Sequence, residues 1–234
     1  MANYKRLITN YFSIWWMMMM RPIYFFTKLK QESWPEGALT FLLQTSWLLA
    51  FFATLVIFII QYVPIGGTLL QIVHGAKIII VLPVLITLAA VFFVITLLIV
   101  GGALVAAIFA GFFALAYVTH YVNKLLGGTG HLSRQIQALF YCSGVLLSGL
   151  IILGLMIFSK YYNLDFALFR YGFATILFFT TLYLSGLLAI VNRKNYHLSK
   201  PMAFLGALIP FFLLLIFGLL FDRIALSRIQ PWIS

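Results

Sequence analysis

Residues 78–123 read IIIVLPVLITLAAVFFVITLLIVGGALVAAIFAGFFALAYVTHYVN, 46 positions between Lys77 and Lys124 without one Asp, Glu, Lys or Arg. A bilayer interior offers no water to solvate charges or free backbone amides. Uncharged apolar runs of about 18 residues or more therefore form membrane-spanning helices. Four more such runs follow from the rest of the chain, at about Ala38 to Val63, Gln135 to Phe158, Tyr171 to Val191 and Met202 to Phe221. The first is expected to close at Pro64 and Gly66-Gly67, and the last three are bounded by charged linkers. The fold class is all-α, a polytopic transmembrane helical bundle.

The central run is too long for one straight crossing. At ~1.5 Å per residue it would measure about 69 Å, against a hydrocarbon core of ~30 Å and tilts that rarely exceed ~40°. It is expected to break or bend, with Gly101-Gly102 dividing it into Ile78 to Val100 and Ala103 to Asn123. If both parts cross, the bundle has six membrane helices; if one does, it has five. With a cytoplasmic N-terminus, five spans place ten basic residues inside and five outside, and six spans place nine and six. The difference is too small to choose between them.

Composition agrees with the membrane reading. The hydrophobic fraction is 64% and the charged fraction 8%, against roughly 45–50% and 25% in soluble domains. The four acids, Glu32, Glu36, Asp165 and Asp222, lie in or beside linkers, as do the fifteen basic residues. A net charge of +11 then marks membrane faces and favours anionic headgroups rather than nucleic acid. The single Cys142 has no partner for an internal disulfide and reads as a small hydrophobe. Trp15, Trp16 and Met17 to Met20 offer no small-residue cleavage site, so no removed signal peptide is expected.

Residues 1–37 form the one sizeable polar segment, with Lys5, Arg6, Arg21, Lys28 and Lys30 among aromatics such as Tyr24, Phe25 and Phe26. It reads as an N-terminal cytoplasmic, interfacial amphipathic segment, Pro22 opening a helix and Trp34-Pro35 ending it. Residues 38–222 form the helical membrane domain and 223–234 a short basic C-terminal tail.

Gly102, Ala106, Ala110 and Ala114 recur at four-residue spacing, beside a second row of Ala103, Ala107 and Gly111. Lipid supplies no hydrophobic force between helices, so association depends on close backbone approach at small residues. The row reads as a helix–helix interface, either within the chain or with a second copy or another membrane protein. Ordinary packing within the chain is favoured, with this helix central to the bundle.

Polar constellations are few. Gly127-Gly128-Thr129-Gly130 before Arg134 reads first as an interfacial turn, with a lipid phosphate as the alternative ligand. His120 and Arg134 are the candidate lipid-headgroup contacts, and Tyr117 and Tyr121 fit an aromatic belt. Ser143 and Ser148 read as small polar residues that pack or hydrogen-bond between helices. His74, His131 and His197 fall in separate loops without metal-ligand spacing. No His-Glu-x-x-His, Gly-x-Ser-x-Gly or intramembrane carboxylate pair occurs, so no enzyme, cofactor or metal is expected. The alternative to a structural role is a transport or lipid-handling component, with a cavity lined by a broken helix near Gly101-Gly102.

Two stretches carry a resemblance. Arg21-Pro22, Phe25-Phe26 and Gly37-Ala38-Leu39-Thr40-Phe41 form one; His120, Leu125-Leu126-Gly127-Gly128, Gly130 and Ala138 through Tyr141-Cys142-Ser143 form the other. Together they resemble the Yip family, polytopic membrane proteins named for interaction with Ypt and Rab GTPases, and its short bacterial members most closely. The resemblance implies a five-span Yip-like domain in a bacterial inner (plasma) membrane, a cytoplasmic N-terminus and a motif loop at Gly127, Gly128, Gly130 and Tyr141. It also implies a non-enzymatic organiser or accessory subunit, working through a membrane-protein partner or self-association. The Asp-Leu-Tyr-Gly-Pro motif and long soluble N-terminal region of eukaryotic members are absent, so GTPase binding does not carry over.

Overall fold

A computed structural model of the chain describes residues 2–30, 35–73 and 77–233. Glu32, Trp34 and His74 lie outside the described residues. Ten α-helices follow in order among the described residues. They are α1 Ala2–Met20, α2 Pro22–Lys28, α3 Glu36–Ile57, α4 Val63–Ile72, α5 Lys77–Leu125, α6 Leu132–Cys142, α7 Gly149–Tyr162, α8 Phe166–Tyr196, α9 Lys200–Phe221 and α10 Ser227–Ile233. Short non-α helical turns join several of them, so that five continuous helical rods are long and apolar enough to cross a membrane: Glu36–Leu69, Lys77–Leu125, Leu132–Tyr162, Phe166–Tyr196 and Lys200–Leu226. The chain is an integral multi-pass membrane protein.

The expected break in the central run does not occur. α5 is one helix of 49 residues that continues through Gly101 and Gly102. Glycine weakens a helix through its backbone entropy and by exposing the backbone to competing water; in an apolar surround the second of these is gone, and an open helix would leave backbone groups without partners. The glycine at 101 serves an approach instead. A Cβ there would stand 2.4 Å from Trp47 Cζ3 on α3, so the indole lies directly on the α5 backbone. The broken-helix cavity of the transport reading is therefore not built at this position.

Pro64 and Gly66-Gly67 do not end the first rod either. Phe58–Tyr62 forms a π turn between α3 and α4, and Pro64 occupies the first turn of α4. A proline ring collides with the carbonyl four residues earlier in a regular helix. The wider π turn spans that position, Ile60, and lets the rod continue.

α3 and α5 pair antiparallel along a seam of aromatics. Phe51 meets Phe93 at 6.1 Å between ring centroids, Phe58 meets Phe93 at 5.7 Å, and Tyr62 stacks on Phe92 at 5.5 Å. Residues 77–100 of α5 include no buried position. The helix is apolar around its circumference there, which suits a lipid environment.

α8 and α9 form a second antiparallel pair. At one end Arg170 clamps Asp222, its Nε donating to Oδ1 at 2.8 Å. Residues 223–233 are not a free tail. The helix runs on through a π turn, Asp222–Leu226, into α10, and Leu226 is buried against Phe169 and Phe173.

α1 lies across the bundle. Tyr11 stacks on Phe41 of α3 at 4.8 Å, with its hydroxyl 2.9 Å from Thr45 Oγ1. Trp15 Nε1 donates to the Gly144 carbonyl at 3.0 Å, and the Tyr183 hydroxyl of α8 donates to the Met19 carbonyl. Phe12, Trp16 and Met20, at four-residue spacing, point outward. One face of α1 thus docks on protein while the other presents large apolar groups, as an interfacial helix does.

Candidate functional site

The predicted residues fall into two places. The first is a polar junction where the C-terminal ends of α5 and α8 meet the N-terminal ends of α6 and α9. Gly127 adopts φ 85°, closing α5 in the left-handed region that glycine enters freely. Its N–H donates to the Lys124 carbonyl at 3.0 Å, the Gly128 N–H to Asn123 O at 2.9 Å, and the Thr129 N–H to Tyr196 O at 3.3 Å. These three amides are committed to backbone carbonyls, which holds Gly127 to Thr129 as a turn. A Cβ at Gly130 would stand 2.5 Å from Asn195 O, and one at Gly128 would stand 2.7 Å from Tyr196 Cβ. Both glycines let the loop lie flat on the end of α8.

Beneath the loop lies a buried carboxamide network that sequence reasoning missed. Asn123 Nδ2 donates to Asn192 Oδ1 at 2.7 Å, and Gln135 Nε2 to Thr119 Oγ1 at 3.0 Å. Asn195 Nδ2 donates to Gln135 Oε1 at 3.2 Å and to the His131 carbonyl at 3.1 Å. Asn192 Nδ2 reaches the Ala203 carbonyl at 3.3 Å, tying in α9. A Cβ at Gly206 would stand 2.3 Å from Asn123 Oδ1, so that glycine makes room for the network. Four helix ends are joined by directional bonds, a stronger specification of geometry than apolar packing provides.

His120 turns inward to this junction, its Nδ1 2.6 Å from the Tyr196 hydroxyl. Arg134 lines a cavity of about 10 Å³ with Phe26, Leu29 and Lys194, room for about one water. Tyr141 packs edge-on to Phe25 at 5.1 Å and tilted to Phe41 at 5.4 Å, joining α2, α3 and α6. Ser148 Oγ lies 2.8 Å from Thr180 Oγ1 across the α8 contact, whereas Ser143 bonds the Phe140 carbonyl within its own segment. Cys142 is fully buried. Among the described residues no group of three or more His, Cys, Asp or Glu gathers that could hold a metal.

The second place is the small-residue row, and the structure corrects its expected setting. Gly102, Ala106, Ala110 and Ala114 are all exposed, as are Ala103, Ala107 and Gly111. The buried face of α5 instead carries Gly101, Phe112, Ala116, Thr119 and Asn123. The small residues are therefore not packed within the chain; α5 meets α3, α6, α8 and α9 with its other face. Between Gly101 and Leu115 the buried or half-buried positions carry the larger side chains, Leu104, Val105, Ile108, Phe112, Phe113 and Leu115, which fill volume against the bundle; Phe109 stands at the edge, more than a third exposed, and tilts on Phe140 at 5.8 Å. What remains outward is a smooth strip where another helix backbone can approach closely.

No family model, curated protein or solved structure matches the chain.

Proposed function

We propose that this membrane protein is a non-enzymatic, Yip-type organiser or accessory subunit that binds a membrane-protein partner, or a second copy of itself, through the outward row Gly102, Ala106, Ala110 and Ala114. The exposure of that row carries the reading. Four small residues at four-residue spacing on a lipid-facing helix leave backbone accessible, and helix association in a bilayer is driven by such close approach. Leu125 to Gly130 and Ala138 to Ser143 support the Yip-type assignment by their pattern alone.

A cytoplasmic N-terminus in a bacterial inner membrane belongs to the same proposal. Five crossings group ten basic residues with α1, α2 and the carboxamide junction and five with the opposite face. An excess of Lys and Arg marks the cytoplasmic side.

Crosslinking in native membranes, followed by mild-detergent purification and mass spectrometry, tests the reading. The native chain is expected to retain a membrane-protein partner or a second copy, and Ala106→Leu with Ala110→Leu to lose it. Both positions are exposed, so the double variant should fold. A native chain recovered alone, or a double variant with undiminished association, would overturn the proposal.

A further inference from the structure

Two concavities run together on the side of the bundle formed by α2 and α8. One, of about 580 Å³, lies against α2, with Arg21, Tyr24 and Lys28 in its wall and Pro22 and Ile190 at its inner end. The other, of about 560 Å³, shares Pro22 and Ile190 and continues past Gly186 and Tyr183 to Leu182 and Phe179. Residues 179, 182, 183, 186 and 190 lie on one face of α8. The combined groove therefore follows that helix for about 16 Å at ~1.5 Å per residue.

Its chemistry is graded along its length. Arg21 and Lys28 line the α2 end, Lys28 Nζ standing 4.5 Å from the Tyr24 ring centroid. The lining of both concavities contains no Asp or Glu. Beyond Ile190 the walls are apolar, and the floor is hollow at one point: a Cβ on Gly186 would find no atom within 4 Å. Phe179, Leu182 and Gly186 are exposed, so the groove opens sideways. A free anion would use only the cationic end and an apolar helix only the other. An amphiphile with an anionic head uses both.

We propose that this groove holds one anionic phospholipid, its phosphate between Arg21 and Lys28 and an acyl chain along α8 over Gly186. The lipid would join α2, and through it α1, to the transmembrane rods. The site lies on α2 and α8, away from the α5 row, so its test is independent of the protein-partner reading.

Native mass spectrometry of the full chain from mild detergent, after exchange with phosphatidylglycerol or phosphatidylcholine vesicles, decides the matter. The native protein should retain one phosphatidylglycerol, preferred by about thirtyfold over phosphatidylcholine, the scale that two cations near an anionic surface supply. Gly186→Leu should abolish retention by filling the floor. Gly154→Leu on α7, another glycine with no atom within 4 Å of an added Cβ, should retain lipid as the native protein does. Arg21→Gln with Lys28→Gln should erase the headgroup preference. Equal retention of the two lipids by the native chain, or undiminished retention by Gly186→Leu, would overturn the proposal. So would equal loss in Gly154→Leu, which would mark the lipid as non-specific annulus.

Discussion

Gly101 and Gly102 are neighbours in sequence with opposite surroundings. A methyl group at 101 enters the Trp47 ring, whereas one at 102 meets nothing within 4 Å. Gly101→Ala should destabilise the α3–α5 contact by about 1–3 kcal/mol, as overpacking does. Gly102→Ala should leave stability unchanged or raise it by up to ~1 kcal/mol through helix propensity. Thermal unfolding of the two variants in one detergent checks the contrast. The sequence shows only a Gly-Gly pair, which in water is a helix breaker; that one of the two is a seat for a tryptophan depends on a residue 54 positions away. The carboxamide network was hidden for a related reason. Asn123, Gln135, Asn192 and Asn195 each sit at the polar margin of an apolar run, where an exposed amide and a buried one look alike in sequence. His120 and Arg134 were legible as boundary residues, but the inward turn of His120 depends on Tyr196, from another helix.

At the scale of elements, the apolar runs located every crossing rod because burial in lipid demands length and uniform hydrophobicity, both visible in order along the chain. What did not follow was where rods stop. Pro64, Gly66 and Gly67 sit inside helix, and residues beyond Asp222 remain helical, since a membrane leaves backbone groups no partner but their own helix. The periodicity of Gly102, Ala106, Ala110 and Ala114 established that they share a face, but not that the face turns outward. α1 offers a test of its own. It is fastened by the Trp15 bond to the Gly144 carbonyl and the Tyr183 bond to the Met19 carbonyl. Replacing each by Phe removes about 0.5–1.5 kcal/mol per bond. In Trp15→Phe with Tyr183→Phe, hydrogen exchange should quicken in residues 11–20 while α8 and α9 keep their protection. Unchanged exchange in α1 would show that apolar contacts alone hold it.

The whole molecule is a five-rod bundle joined at one end by a polar junction and crossed by an N-terminal helix. One crossing by each of the five rods that are long and apolar enough to span, the topology proposed above, puts the N- and C-termini on opposite faces. Reporter fusions should therefore find the N-terminus with the ten-cation face in the cytoplasm and the C-terminus outside; both termini on one side would require a sixth crossing or one fewer. The five-fold or six-fold ambiguity of the sequence came from α5 alone, whose 49 residues are enough for two spans by length. The central claim, that the outward row of α5 is an association surface, is tested most directly by placing a cysteine at Ala110, with the buried Cys142 replaced by Ser, and oxidising or crosslinking it in native membranes. The account predicts one discrete adduct, with a second copy or a single partner, formed at position 110 and not at Leu98 on the same helix, and lost when Ala106→Leu is added. Adducts of equal yield from both positions, or none from position 110, would contradict it.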